Sequence, residues 1–159
     1  MLFPMLAFSQ PENKPEEAEA VAMITQIYSD VSAENAGQVD WEKIRSYFVE
    51  EAIIVLKTSR DANSQFTLEE FIQDFKDFYQ TPAAMEHGSK EEVVKLKAEV
   101  HKDLAFIAVV YAAGFPKAER PPSKGIDFWL LTRKDNAWKI VAVTNEIVLP
   151  GEELPDVFE

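Results

Sequence analysis

One stretch, GIDFWLLTRKDNAWKIVAVTNEI from Gly125 to Ile147, constrains this chain more than any other. Two apolar, β-prone runs flank a short polar break at Lys134-Asp135-Asn136, which is the pattern of an antiparallel hairpin. The first arm carries a single acid, Asp127, among Ile126, Phe128, Trp129, Leu130 and Leu131. An ionised carboxylate is costly to bury without a partner. Either the strand leaves Asp127 in water, or the fold gives it a reason to be inside.

Upstream, the periodicity changes. Ala20, Val21, Ile24, Ile27, Tyr28 and Val31 recur at spacings of three and four, so the chain from Glu16 is expected to be an amphipathic helix. Asp40 can cap a second, short helix carrying Trp41, Ile44 and Tyr47. Phe48 to Leu56 reads as a strand, residues 58–65 as a polar turn, and Phe66 as the start of a short return. Thr67 and Glu70 form a capping box for a third helix, faced by Leu68, Phe71, Ile72, Phe75, Phe78 and Tyr79 and ended by Thr81-Pro82.

From Glu91 to Val100, apolar and charged residues alternate, with Val94, Leu96, Ala98 and Val100 expected on one face. Leu104 to Ala113 is apolar on both faces, which suits a central or interface strand. The prolines between Gly114 and Lys124 mark a loop. Three helices and a meander of long strands predict an α+β domain over residues 16–149.

Composition excludes several functions. With 28 acids against 16 Lys plus Arg, the formal charge is −12, and such a surface repels nucleic-acid phosphates and anionic lipids. No cysteine is present, so there is no thiolate chemistry and no disulfide. His87 and His101 sit in separate turns without metal-ligand spacing, and neither a phosphate loop nor a nucleophile elbow occurs. No metal or cofactor is expected, and no stretch is long enough to span a membrane.

Residues 1–9, MLFPMLAFS, resemble the remnant of a secretory signal, with cleavage expected after Ser9. A secreted or periplasmic location follows from that reading, the alternative being cytoplasmic. Residues 10–15 read as a linker and 150–159 as an acidic tail.

The order of elements resembles the nuclear transport factor 2-like superfamily, which includes ketosteroid isomerase, scytalone dehydratase and polyketide cyclases. The resemblance rests on the helix with Tyr28, on YFVEEAIIVL (47–56), on the capped aromatic helix and on the final hairpin. It implies a cone, in which a strongly curved antiparallel sheet wraps the N-terminal helix and leaves a deep apolar pocket.

By the same resemblance, Asp127 in IDFW matches the acid that ketosteroid isomerase uses to donate to an oxyanion. Tyr28 falls near that enzyme's oxyanion tyrosine. Its base position is Leu56 here, and leucine cannot take a proton. With Asp127 turned into the cone, strand parity puts Trp129 and Leu131 inward with it, and the resemblance places Val143, Asn145 and Ile147 inward from the partner strand.

Three functions fit. The first is binding of a small lipophilic or carbonyl-containing molecule, without catalysis, in a pocket of Tyr28, Leu56, Asp127, Trp129, Leu131, Val143 and Asn145. The second is a cofactor-free lyase or isomerase using Asp127 and Tyr28, with Glu146 or His101 as base. The third is an interaction domain whose cone is filled. In each case the doubly apolar strand 104–113 predicts a homodimer through the open sheet face.

Overall fold

A computed structural model describes residues 15–59, 61–149 and Glu152; the expected signal remnant, the linker up to Lys14 and the rest of the acidic tail lie outside the described residues. The order is α1 (Pro15–Asp30), α2 (Trp41–Ser46), β1 (Phe48–Ser59), β2 (Ala62–Phe66), α3 (Leu68–Phe78), α4 (Pro82–His87), β3 (Lys90–His101), β4 (Leu104–Gly114), β5 (Ser123–Lys134) and β6 (Ala137–Val148). The strands form one six-stranded sheet, β2-β1-β6-β5-β4-β3. The class is α+β, with a curled, unclosed sheet wrapped on α1 as the cone fold implies.

Each element has a local cause. Pro15 opens α1, where a missing N–H costs nothing, and Glu16 and Glu17 sit at the positive end of its dipole. Ala20, Ile24, Ile27 and Tyr28 are its buried stripe. Asp40 caps α2 by accepting from the Lys43 amide at 3.0 Å. Thr67 and Glu70 form the capping box of α3. At the end of that helix the chain adds a fourth, short helix to the three expected. Thr81 accepts from the Ala84 amide and Pro82 occupies its first turn, so the proline that stops α3 also starts α4.

The β5–β6 hairpin turns through Asp135 and Asn136, both at positive φ (52° and 61°). That is the pairing a right-handed twisted hairpin requires. β1 lies beside β6 in parallel, while the other neighbours are antiparallel. The expected polar turn at 58–65 is shorter than the sequence implies: β1 runs on to Ser59 and β2 returns from Ala62.

Register shifts occur in β1 between Lys57 and Ser59, in β3 between Val93 and Lys95, and in the β5–β6 pair beside Leu131. Bulges of this kind raise local twist and bend the strand, which supplies the curl. They also reset which residues face inward. Val94 is the extra residue in β3 and is 54% exposed, contrary to its expected inward place. Leu96, Ala98 and Val100 keep the core face, but upstream of the bulge the inward positions are Val93 and Glu91.

The core fills the space between α1, α3 and the concave side of the sheet. Ile24, Ile54, Ile107, Leu131 and Ile140 are wholly buried. At the start of α1, the Trp138 indole donates to the Glu16 carbonyl at 3.1 Å, and Arg133 pairs with Glu19 at 2.6 Å while lying over the Trp138 ring. At its end, Ala33 and Ser89 exchange backbone hydrogen bonds of 3.0 and 2.8 Å. The helix is therefore fixed at both ends, and Tyr28 with it.

Candidate functional site

Tyr28 points from α1 to the middle of the sheet. Its hydroxyl donates to Asp127 Oδ2 and accepts from the Trp129 indole N–H at 3.1 Å. The Trp129 ring meets the Tyr28 ring edge-on, with centroids 6.1 Å apart. Asp127 is 7% exposed, and burial outweighs the Tyr28 hydrogen bond to push its carboxyl up to about 8. The nearby Glu91 adds to the rise, because two negative charges disfavour each other. Tyr28 is in turn held firmly as the neutral phenol by burial and by the Asp127 charge.

These groups border a cavity of about 160 Å³ between α1 and the sheet. Ile27, Tyr28 and Val31 line it from α1, and Phe71 and Phe75 from α3. The sheet contributes Leu56, Glu91, Tyr111 and Ala113, followed by Asp127, Trp129, Val143 and Asn145. The cavity thus brings together Tyr28, Leu56, Asp127, Trp129, Val143 and Asn145 from the residues singled out by sequence. Leu131 is not among its walls; it is fully buried in the core.

Asn145 stitches strands together. Its Oδ1 accepts from the Lys57 amide at 2.6 Å, where β1 leaves β6, and its Nδ2 reaches Tyr111 Oη at 3.5 Å. Tyr111 can occupy its place because its cross-strand partner is Gly125. A Cβ there would meet the Tyr111 hydroxyl at 2.3 Å.

Neither base considered from sequence faces this cavity. Glu146 is exposed and pairs with Lys57 at 3.3 Å, and His101 is exposed at the end of β3. The carboxyl that does face it is Glu91. Ser32 accepts from the Glu91 amide at 2.8 Å and donates to the Tyr28 carbonyl at 2.7 Å, placing Glu91 next to the end of α1. The residue keeps some exposure, but enough protein surrounds its carboxyl that burial pushes it up to about 7.

Glu91 and Tyr111 also line an outer cleft of about 310 Å³ with Phe78, Phe115, Arg120 and Lys124. They are therefore shared by the inner cavity and the outer cleft. The signal for Glu91 was present in the sequence as an acid in an alternating strand, but the bulge at Val94 inverts its side. Among the described residues no group of three or more His, Asp or Glu side chains is placed to hold a metal ion, and no helix is long and apolar enough to cross a membrane.

Comparison of whole structures places the chain among known folds. A nuclear transport factor 2-like protein of unknown function from Pseudomonas putida matches with a TM-score of 0.68 at 12% identity, over 86% of this chain and 89% of that one. A proposed scytalone dehydratase from Novosphingobium aromaticivorans matches at 0.62 and 13% identity, over 84% and 85%. A proposed calcium/calmodulin-dependent protein kinase II association domain from Xanthomonas campestris matches at 0.64 and 14% identity, over 91% and 95%. No protein-family model matches the sequence, and no curated protein does.

Proposed function

We propose that this chain, which has the nuclear transport factor 2-like fold, binds a small, mostly apolar molecule in the cavity beneath α1 without reacting with it. The observation that carries the reading is the cavity itself: about 160 Å³, walled by aliphatic and aromatic side chains, with Asp127 and Glu91 as directed polar groups. Concave apolar sites with a few polar anchors are what small-molecule sites usually look like. A cavity of about 150 Å³ takes one benzene-sized ring, so the occupant is about that large.

The test is calorimetry or ligand-observed NMR with toluene and indole, on the wild type and on Leu56→Phe. Binding lost in a variant whose unfolding midpoint is unchanged supports the reading. No binding by either protein at millimolar probe overturns it.

A cofactor-free isomerase or lyase has one observation in its favour: Glu91 places a second carboxyl on the cavity that holds Asp127 and Tyr28. Exchange of the α-protons of cyclopentanone with solvent deuterium, lost in Glu91→Gln, would support it. Wild-type exchange at the buffer rate would remove it.

The homodimer is supported by the convex face, where Leu104, Phe106, Phe128 and Leu130 are exposed and the rings of Phe106 and Phe128 stack at 5.5 Å. Light scattering should give a dimer that Leu130→Lys converts to a monomer. Export is tested by N-terminal sequencing of protein from the native host, which should begin at Gln10.

A further inference from the structure

We infer that the occupant of this cavity is a small amine, bound as its ammonium ion between Asp127 and Glu91 with its apolar body among the aromatic rings. The inference rests on the binding reading above and sharpens it to a ligand class.

The polar inventory of the cavity decides the sign of charge. The indole N–H of Trp129 is given to Tyr28, and the hydroxyl proton of Tyr28 is given to Asp127 Oδ2. Those two donors are therefore used within the protein. What remains facing the space are the Asp127 and Glu91 carboxyl groups and the Tyr111 hydroxyl, whose oxygen accepts from Asn145 Nδ2. Asp127 Oδ1 has no hydrogen-bond partner among the described residues, and the Glu91 carboxyl has none either. No Lys or Arg lines the cavity. An ammonium group carries three donors and no acceptor, which is the complement of two carboxylates.

The walls fit the same ion. Tyr28, Phe71, Phe75, Tyr111 and Trp129 present five rings to the space. Aromatic faces attract cations, and the effect strengthens out of water. Burying a charge needs partners that repay its lost hydration. Two carboxylates with aromatic faces around them meet that need better than either would alone. The whole chain, at −12, also draws cations toward it.

Protons mark the difference between an amine and a rival ligand. In the empty protein, burial holds protons on Glu91 to about 7 and on Asp127 to about 8. An ammonium ion displaces them, so binding releases protons and tightens as pH rises through that range. A carbonyl ligand needs the opposite, because it accepts from a protonated Asp127, and its binding weakens as pH rises. The other titratable groups near Glu91 are Tyr28, Tyr79, Tyr111 and Asp127, with Arg120 and Lys124 across the outer cleft. The tyrosines are all held neutral by burial.

The experiment is calorimetric titration of the full chain with benzylamine, toluene and benzaldehyde from about pH 5.5 to about pH 8.5. Benzylamine should bind at least about tenfold tighter than toluene at the upper end, and its affinity should rise by up to about tenfold per pH unit for each proton released. Glu91→Gln should remove most of that advantage, and a single cooperative urea transition shows that the variant is folded. If toluene binds but benzylamine does no better, or benzaldehyde binds best and weakens with pH, the amine inference fails and the binding reading stands. If none of the three binds, both fail.

Discussion

Asp127→Asn should make the protein more stable above neutral pH by removing a pH dependence. The folded protein keeps the Asp127 proton to about pH 8, whereas an unfolded chain gives it up near 3.8. Between those values the native state binds one proton more than the unfolded state. Stability therefore falls as pH rises, by about 1.4 kcal/mol per pH unit. From about pH 5 to about pH 8 the loss reaches about 4 kcal/mol, a large part of the roughly 5–15 kcal/mol that holds a domain together.

Glu91 adds a loss of the same sign between 4.5 and about 7. Asp30 and Glu70 have lowered values, so their contributions are complete before this window opens. Asparagine can still accept from Tyr28 and cannot ionise. Its amide N–H groups need a new acceptor, but that offset does not vary with pH, so the slope is the quantity to read. Urea unfolding of both proteins at intervals from about pH 5 to about pH 8 should give curves that diverge by about 3–4 kcal/mol, the variant gaining with pH. Parallel curves would refute the reasoning, because they would mean that Asp127 ionises at an ordinary pH beside water.

Three further outcomes are expected. Tyr28→Phe leaves the Trp129 indole and Asp127 Oδ2 without their buried partner, and should cost about 2–4 kcal/mol in urea unfolding; a loss under about 1 kcal/mol would show that water replaces the hydroxyl. Gly125→Ala drives a methyl into Tyr111 and should cost about 1–3 kcal/mol, with altered tyrosine fluorescence. Thr67→Ala removes the side-chain half of the α3 capping box and should lower stability by about 1 kcal/mol, with no change in ligand affinity because the cap lies outside the cavity.

The sequence carried most of the frame because its signals were local. The stripe of α1 follows from 3.6-residue spacing, the start of α3 from Thr67 and Glu70, and the last hairpin from two β-prone arms around a polar turn. The family resemblance turns Asp127, Val143 and Asn145 inward, and parity along an uninterrupted stretch of β5 carries Trp129 with Asp127. What could not be read depends on long-range pairing. Nothing local distinguishes Val94 from Val93, and only the partner strand β4 decides which of them is extra. That ambiguity put Val94 inside and Glu91 outside. In the same way, β2 reads as polar turn because its residues are held by the β1 edge and not by their own preferences.

The bulge at Val94 gives β3 two reading frames, one on either side of a single residue. Paired regularly over the same residues, β3 would turn Lys90 and Glu92 inward in place of Glu91. Which charged residue reaches that wall is therefore set by one unpaired residue. Related chains could therefore differ in what lines the cavity through the register of β3 alone, decided at a residue that is not on the cavity wall.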